Sequence, residues 1–222
     1  MASNLSIGNL AVGGSSTSPT NSTGAPEVIL EGTAPLIAFR DESGGTDDYV
    51  VMNDDGAFKI KNDTDNSTPL TISNAGDVTL PAQPAFDVEL STGQDDIAVD
   101  TWTTVLFNTE RFDQGSNFNT GTYTFTAPVT GKYQFNVNIR FENLDAAATY
   151  LQVELKASNH SYYSLIDPRG LGSDPVYWPV NFSTLADMDA SDTAYVRIYQ
   201  SAGTAQMDIN ATQSNFSGFL AC

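Results

Sequence analysis

From residue 85 onward apolar and polar residues alternate with a period of two, the signature of strands that present one face to a core and one to solvent. The runs 85–90, 103–107, 122–126, 133–141, 151–157, 177–182, 194–199 and 216–220 are predicted as strands, and Gly, Pro and Asn separate them. No amphipathic helix competes with this pattern. Eight or so short strands in a unit of this length predict an all-β jelly-roll sandwich over residues 85–222.

Upstream the pattern changes twice. Residues 28–80 contain short β runs broken by Asp54-Asp55-Gly56 and Asn74-Ala75-Gly76, and the stretches 51–60 and 71–80 superpose with an offset of 20 residues. Each copy reads as a hairpin. Two hairpins bury too little to stand alone, so the segment is expected to pack against its equivalents in other chains or against the C-terminal domain. Residues 81–84, Pro-Ala-Gln-Pro, mark a linker because proline cannot continue a strand ladder.

Residues 1–27 are expected to form an extended N-terminal arm. The first 26 contain no charged side chain and are rich in Ser, Thr, Gly, Asn and Pro, a composition that gains order only through contacts outside itself. Leu5, Ile7, Leu10 and Val12 would be its apolar pegs, suited to strand addition or insertion into grooves of a partner.

Composition narrows the partners. The chain has 222 residues, and 9 Lys plus Arg face 27 Asp plus Glu, giving a net charge of −18. That field repels phosphate backbones, so nucleic acid is excluded as a partner and solubility is favoured. Cys222 is the single cysteine, so no intrachain disulfide is possible. The N-terminus lacks a basic segment followed by an apolar run, so synthesis in a host cytoplasm without membrane insertion is expected, with Met1 read as the start of a complete gene product. The eight Asn-x-Ser/Thr triplets then reflect composition and not glycosylation.

Three stretches carry a family resemblance: residues 84–90 (PAFDVEL), residues 121–135 (GTYTFTAPVTGKYQF) and residues 214–220 (SNFSGFL). They resemble the start, centre and end of the globular head of complement C1q. In the central motif Pro128 fixes φ and Gly131 is expected to take a left-handed conformation, turning the chain from one sheet into the other. In the last, Phe216 and Leu220 share a face and Gly218 permits close approach. The resemblance implies a tumour-necrosis-factor-like jelly roll that assembles as a homotrimer, with Tyr133, Phe135, Phe216 and Phe219 as candidates for the trimer axis or the core. No collagen stalk, signal peptide or internal cysteine accompanies it, so complement-type roles are not carried over. Residues 28–80 also resemble segments preceding the distal domains of phage tail-fibre and virion-surface proteins.

Chemistry is sparse. His160, in a loop-like stretch, is the only imidazole, so no nucleophile has an evident base and no catalytic residue is assigned. Asp63-Thr64-Asp65-Asn66-Ser67 has the oxygen spacing of a calcium loop, but the expected glycine is Thr68 and the closing glutamate is Asn74, so no metal or other cofactor is assigned. Tyr162, Tyr163, Tyr177 and Trp178, in or beside expected loops, are candidates for contacting glycans. The leading expectation is a non-enzymatic trimeric virion protein of bacteriophage type, a capsid decoration or cement protein gripping the major capsid shell through its arm. The alternative is a tail-fibre or tailspike tip recognising host-surface carbohydrate, and a glycan hydrolase with a carboxylate pair in a groove is a third reading.

Overall fold

The structure, a computed structural model, describes residues 11–12, 28–30, 32–41 and 47–222. The chain divides into two compact units, Met1–Ala82 and Gln83–Cys222. Of the arm pegs, Leu5, Ile7 and Leu10 lie outside the described residues, while Val12 belongs to β1 (Ala11–Val12), which pairs antiparallel with β2 (Val28–Ile29).

The first unit continues as β3 (Leu36–Phe39), β4 (Tyr49–Asp54), β5 (Ala57–Asn62), β6 (Ser67–Ile72) and β7 (Val78–Thr79). The two expected hairpin turns are present, joining β4 to β5 and β6 to β7. They do not close separate hairpins, however. A third turn at residues 63–66 pairs β5 with β6, so the two copies fuse into one five-stranded antiparallel meander. Its turns use left-handed residues, Asp55 (φ 51°), Gly56 (φ 77°) and Asn66 (φ 62°), which Asp, Gly and Asn adopt at low cost.

Register gathers one continuous set of apolar residues on one side of this sheet. Ile37, Val51, Ile60 and Leu70 are successive cross-strand partners, flanked by the Phe39–Tyr49 pair and the Phe58–Ile72–Val78 row. Much of this face stays open, with Ile37 52%, Phe39 59% and Val78 62% exposed. The opposite side carries the buried Val50 together with Lys59, whose ammonium lies 2.8 Å from Asp54.

The second unit is a sandwich of two antiparallel sheets. Its strands are β8 (Ala85–Glu89), β9 (Thr103–Thr104), β10 (Thr109–Gln114), β11 (Phe118–Asn119), β12 (Thr124–Thr126), β13 (Gly131–Glu142), β14 (Tyr150–Ala157), β15 (Ser161–Ile166), β16 (Tyr177–Met188), β17 (Thr193–Ser201), β18 (Asp208–Ile209) and β19 (Asn215–Leu220). One sheet runs β10-β8-β19-β13-β16 with β18 added to β13, and the other runs β11-β12-β17-β14-β15 with β9 added to β17. The sandwich is thus jelly-roll-like, with its first and last strands adjacent.

Several bounds differ from the sequence expectation. The expected strand at 103–107 stops at Thr104 because the Phe107 amide donates to Val105 O, curling the chain while both side chains stay buried. Strand β16 runs six residues past Phe182, paired throughout with β13. The 81–84 linker is half absorbed into the sandwich: Leu220 N donates to Pro84 O (3.0 Å) and Gln83 Nε2 to Leu220 O (2.6 Å).

Alternate residues of β8, β13 and β19 meet those of β12, β14 and β17 in one aromatic-rich core. Phe86 is its hub, with ring centroids 4.9 Å from Phe125, 5.0 Å from Phe216 and 5.2 Å from Phe118. Burying each such side chain contributes roughly 1.5–3 kcal/mol. Gly218 makes the packing possible, since a Cβ there would lie 2.5 Å from Phe135 Cδ1 and 2.9 Å from Phe86 Cε1. Gly131 is needed for a different reason from the one expected. It is not left-handed but starts β13, where a Cβ would stand 2.7 Å from both Cys222 O and Leu220 Cδ1. Close approach of the chain end, and not turn geometry, fixes glycine there.

Candidate functional site

A sandwich offers two outward faces, and strand alternation decides which side chains occupy them. On the β8-β19-β13-β16 face the centre is uncharged. Asn136 sits between Ser217 and Ser183, and Asn138 between Asn215 and Asn181. Asn138 Nδ2 donates to Asn215 Oδ1 (3.2 Å), and Asn215 Nδ2 to Asp87 Oδ1 (2.9 Å). A shallow depression of about 360 Å³ lies over these amides. Leu185 (53% exposed) and Phe219 (46%) flank Gln134 at one end of the face. At the other end Arg140 stacks on Tyr177, its Cζ 4.2 Å from the ring centroid, and bonds Glu142 at 2.7 Å. Along the β8 edge Arg111 bridges Asp87 and Glu89, and both carboxylates hold its guanidinium above its ordinary pKa.

The aromatic candidates separate by parity. Tyr133, Phe135 and Phe216 are fully buried between the sheets of one chain, and among the four only Phe219 faces outward. Tyr133 donates its hydroxyl to Val129 O (2.7 Å), anchoring the corner at Pro128, and burial raises its pKa. The four glycan candidates are not brought together. Tyr162 and Tyr163 lie within strand β15, not in a loop: Tyr162 packs against the core and Tyr163 points out. Tyr177 and Trp178 both lie on β16 in the opposite sheet, where Trp178 packs against the core and Tyr177 points out.

The β9-β17-β14-β15 face carries a cluster that the sequence reading did not single out. Outward positions on β17 are Tyr195, Arg197 and Tyr199, and β9 pairs through Thr104 with Arg197, which brings Trp102 alongside. Arg197 Cζ lies 4.1 Å from the Trp102 ring centroid, Trp102 is 5.1 Å from Tyr199, and Tyr199 stacks on Tyr150 at 6.0 Å. Arg197 Nε bonds Glu154 Oε2 at 2.6 Å, and the Glu154 side chain is only 4% exposed. The signal for this group was present as aromatic and Arg residues at the polar parity of 194–199, but its Trp and Tyr150 arrive from distant segments.

Two carboxylates clamp the neighbouring loop at residues 201–206. Asp100 Oδ1 accepts from Ala202 N (2.9 Å) and the Tyr199 hydroxyl (3.4 Å). Burial of Tyr199 and the charge of Asp100 raise the pKa of that phenol. Buried Asp145 accepts from Ala147 N (2.8 Å), Thr204 N (2.5 Å), Ala205 N (2.8 Å) and Gln200 Nε2 (3.3 Å). Burial opposes its charge, yet the amides of Ala205, Ala147 and Thr204 outweigh that and hold its carboxyl below the ordinary value.

The remaining candidates have structural surroundings. His160 ends the β14–β15 turn with its ring 4.7 Å from Tyr162. In the calcium-like stretch the oxygens serve the turn: Asn62 Oδ1 accepts from Thr64 N (3.0 Å), Asp65 Oδ1 from Ser67 N (2.8 Å), and Asp63 pairs with Arg40 and Lys61. Among the described residues no cluster of three His, Cys, Asp or Glu side chains could hold a metal, and no helix is long and apolar enough to cross a membrane.

Comparison with known proteins bears on the second unit. Among solved structures, the globular domain of zebrafish complement 1qA protein is similar at 19% identity and a TM-score of 0.47, covering 63% of this chain and 98% of that one. Murine APRIL at pH 8.5 is similar at 9% identity and a TM-score of 0.46, over 62% of this chain and 98% of that one. No curated protein matches. The C1q domain model matches residues 85–221, which include the second and third motifs, all of the first but Pro84, and strands β8 to β19. The chain belongs to the C1q domain family.

Proposed function

We propose that this is a non-enzymatic, self-associating virion surface protein, a homotrimer with an outward jelly-roll head that decorates or cements a capsid shell through its N-terminal arm. The observation that carries the self-association is the uncovered apolar face of the first unit. A five-stranded sheet that leaves Ile37, Phe39, Phe58 and Val78 between 41% and 62% exposed has an unmet need for burial. Copies of the same face meet that need, and three such sheets around an axis close without leaving one uncovered. C1q domains are generally binding modules that self-associate as trimers, which supports the same symmetry for the second unit. There the uncharged Asn and Ser centre, with Leu185 and Phe219, suits contact between copies of a chain whose charge is −18.

The arm supports the attachment reading. It carries Leu5, Ile7, Leu10 and Val12 in a stretch without charge, and three arms on one trimer engage equivalent shell sites with high effective concentration. In the alternative, the arm docks on a tail adaptor or fibre and the same head is a receptor-binding tip. The test combines Phe39→Asp with deletion of residues 1–27. Mass photometry of the intact protein should give trimers, and Phe39→Asp should shift them toward monomers. The arm deletion should keep trimers but abolish co-sedimentation with assembled capsid shells. Wild-type monomers would sink the self-association reading. Trimers that bind tail structures or host cells, and never shells, would replace decoration by the receptor-binding role.

A further inference from the structure

The outer β9-β17-β14-β15 face holds a group of side chains turned away from the core. We propose that Trp102, Tyr199, Tyr150, Arg197 and Asp100 form a binding site for a neutral hexose or a neutral oligosaccharide end. The proposal rests on the reading of the jelly roll as an outward head, but its residues lie on the sheet opposite the uncharged Asn and Ser face.

Three features define the ligand chemistry. The first is a platform. Trp102 is 38% exposed, tilted 44° to Tyr199, and Tyr199 stacks on Tyr150 at 27°, giving a ridge of rings on the outer face of the sheet. Such rings attract the flat apolar C–H face of a pyranose while their polar edges stay wet.

The second feature is an oriented donor. Arg197 is held twice, by Glu154 at its Nε and by the Trp102 ring beneath its Cζ. Among the described residues its terminal amino groups have no acceptor, although the side chain is only 25% exposed. A planar guanidinium fixed in this way presents two N–H groups to adjacent oxygens. Nearly buried Glu154 makes this an organised site: a carboxylate placed under a solvent-facing arginine fixes its orientation and cancels its charge.

The third feature is an oriented acceptor. Asp100 uses Oδ1 for Ala202 N and the Tyr199 hydroxyl, while Oδ2 has no hydrogen-bond partner among the described residues. A donor edge and an acceptor oxygen flanking an aromatic ridge match the adjacent hydroxyls of a sugar, which both accept and donate. Charge then decides between neutral and acidic sugars. Arg197 is neutralised by Glu154, Asp100 is not neutralised, and the chain carries −18, so a carboxylated or sulfated glycan is repelled.

The experiment uses the full chain against neutral oligosaccharides ending in glucose, galactose or mannose and against their sialylated counterparts, with isothermal titration calorimetry of the best binder. Wild type should bind a neutral glycan, and addition of sialic acid should weaken binding. Trp102→Ala and Arg197→Lys should each lower affinity tenfold or more, whereas Tyr177→Ala on the opposite sheet should leave it unchanged. Trp102 is a surface residue, so its replacement tests the site without emptying the core. Mass photometry of every variant should give the wild-type state, which separates loss of this site from loss of self-association. Absence of binding to all neutral glycans, retention of binding by Trp102→Ala, or preference for the sialylated form would overturn the proposal.

Discussion

Gly218 offers the sharpest test of the packing argument. A β-carbon added there would meet Phe135 Cδ1 at 2.5 Å, Phe135 Cε1 at 2.8 Å and Phe86 Cε1 at 2.9 Å. An ordinary carbon contact needs about 3.5–4 Å, so one ring must retreat by roughly 1 Å. Neither ring has room. Phe135 is fully buried with Phe125 and Phe216 at 5.6 Å each, and Phe86 is wedged among Phe118, Phe125 and Phe216. Overpacking of this kind costs about 3 kcal/mol, at the upper end of the usual range. Alanine recovers roughly 0.4–1 kcal/mol by restricting the unfolded chain, because φ at this position is not positive. Gly218→Ala should therefore lose about 2 kcal/mol, or roughly 6–10 °C in Tm for a domain of this size. Chemical and thermal denaturation of the full chain measure it, with Gly172→Ala as a control, since no atom lies within 4 Å of that position. The double variant with Phe135→Leu should be less destabilised than the sum of the singles. A Gly218→Ala protein as stable as wild type, or strictly additive losses, would refute the close-packed account of β19.

Other expectations follow from the same geometry. Gly131→Ala should destabilise less than Gly218→Ala, because its clashing partners are the chain end and a leucine tip, and removal of residues 221–222 should shrink that loss; a denaturation cycle reads the coupling. Asp145→Asn should cost about 2 kcal/mol, since the amide replaces an ion that four N–H groups address, and urea unfolding at pH 7 checks it. The Asp145 carboxyl titrates lower when folded than unfolded, so its contribution is complete above the ordinary carboxylate value of 3.8 and is lost as pH falls through its depressed folded value. Stability curves from pH 7 to pH 2 should show that acid-side loss in wild type and less of it in Asp145→Asn. Exposed Asp167, hydrogen-bonded by Arg169, should titrate at about 2 by NMR and move upward in Arg169→Gln.

The strands that faced the core on one side were legible in the sequence because their parity is clean: β13 and β17 alternate without a break. Strand β10 was not, since its single apolar residue, Phe112, lies on an edge and points outward, leaving no period to detect. Strand β15 was hidden for the opposite reason. Tyr162 and Tyr163, like Leu165 and Ile166, put bulky residues on both parities, and this mimics a loop rich in aromatics. The outer-face cluster depended on register, since only the β9–β17 pairing sets Trp102 over Arg197, and no local pattern encodes a pairing between residues almost a hundred positions apart.

The position of β19 governs how the protein is made. It lies between β8 and β13 in the middle of its sheet, and Lys132 N donates to the carbonyl of Cys222 at 2.7 Å. The last segment of the domain to leave the ribosome is therefore a central element and not an edge. Until it arrives, β8 and β13 each present an unpaired backbone row, and the aromatic hub lacks Phe216. Folding of the sandwich thus waits for β19 and is close to all-or-none, and chains that stop short of it are aggregation-prone.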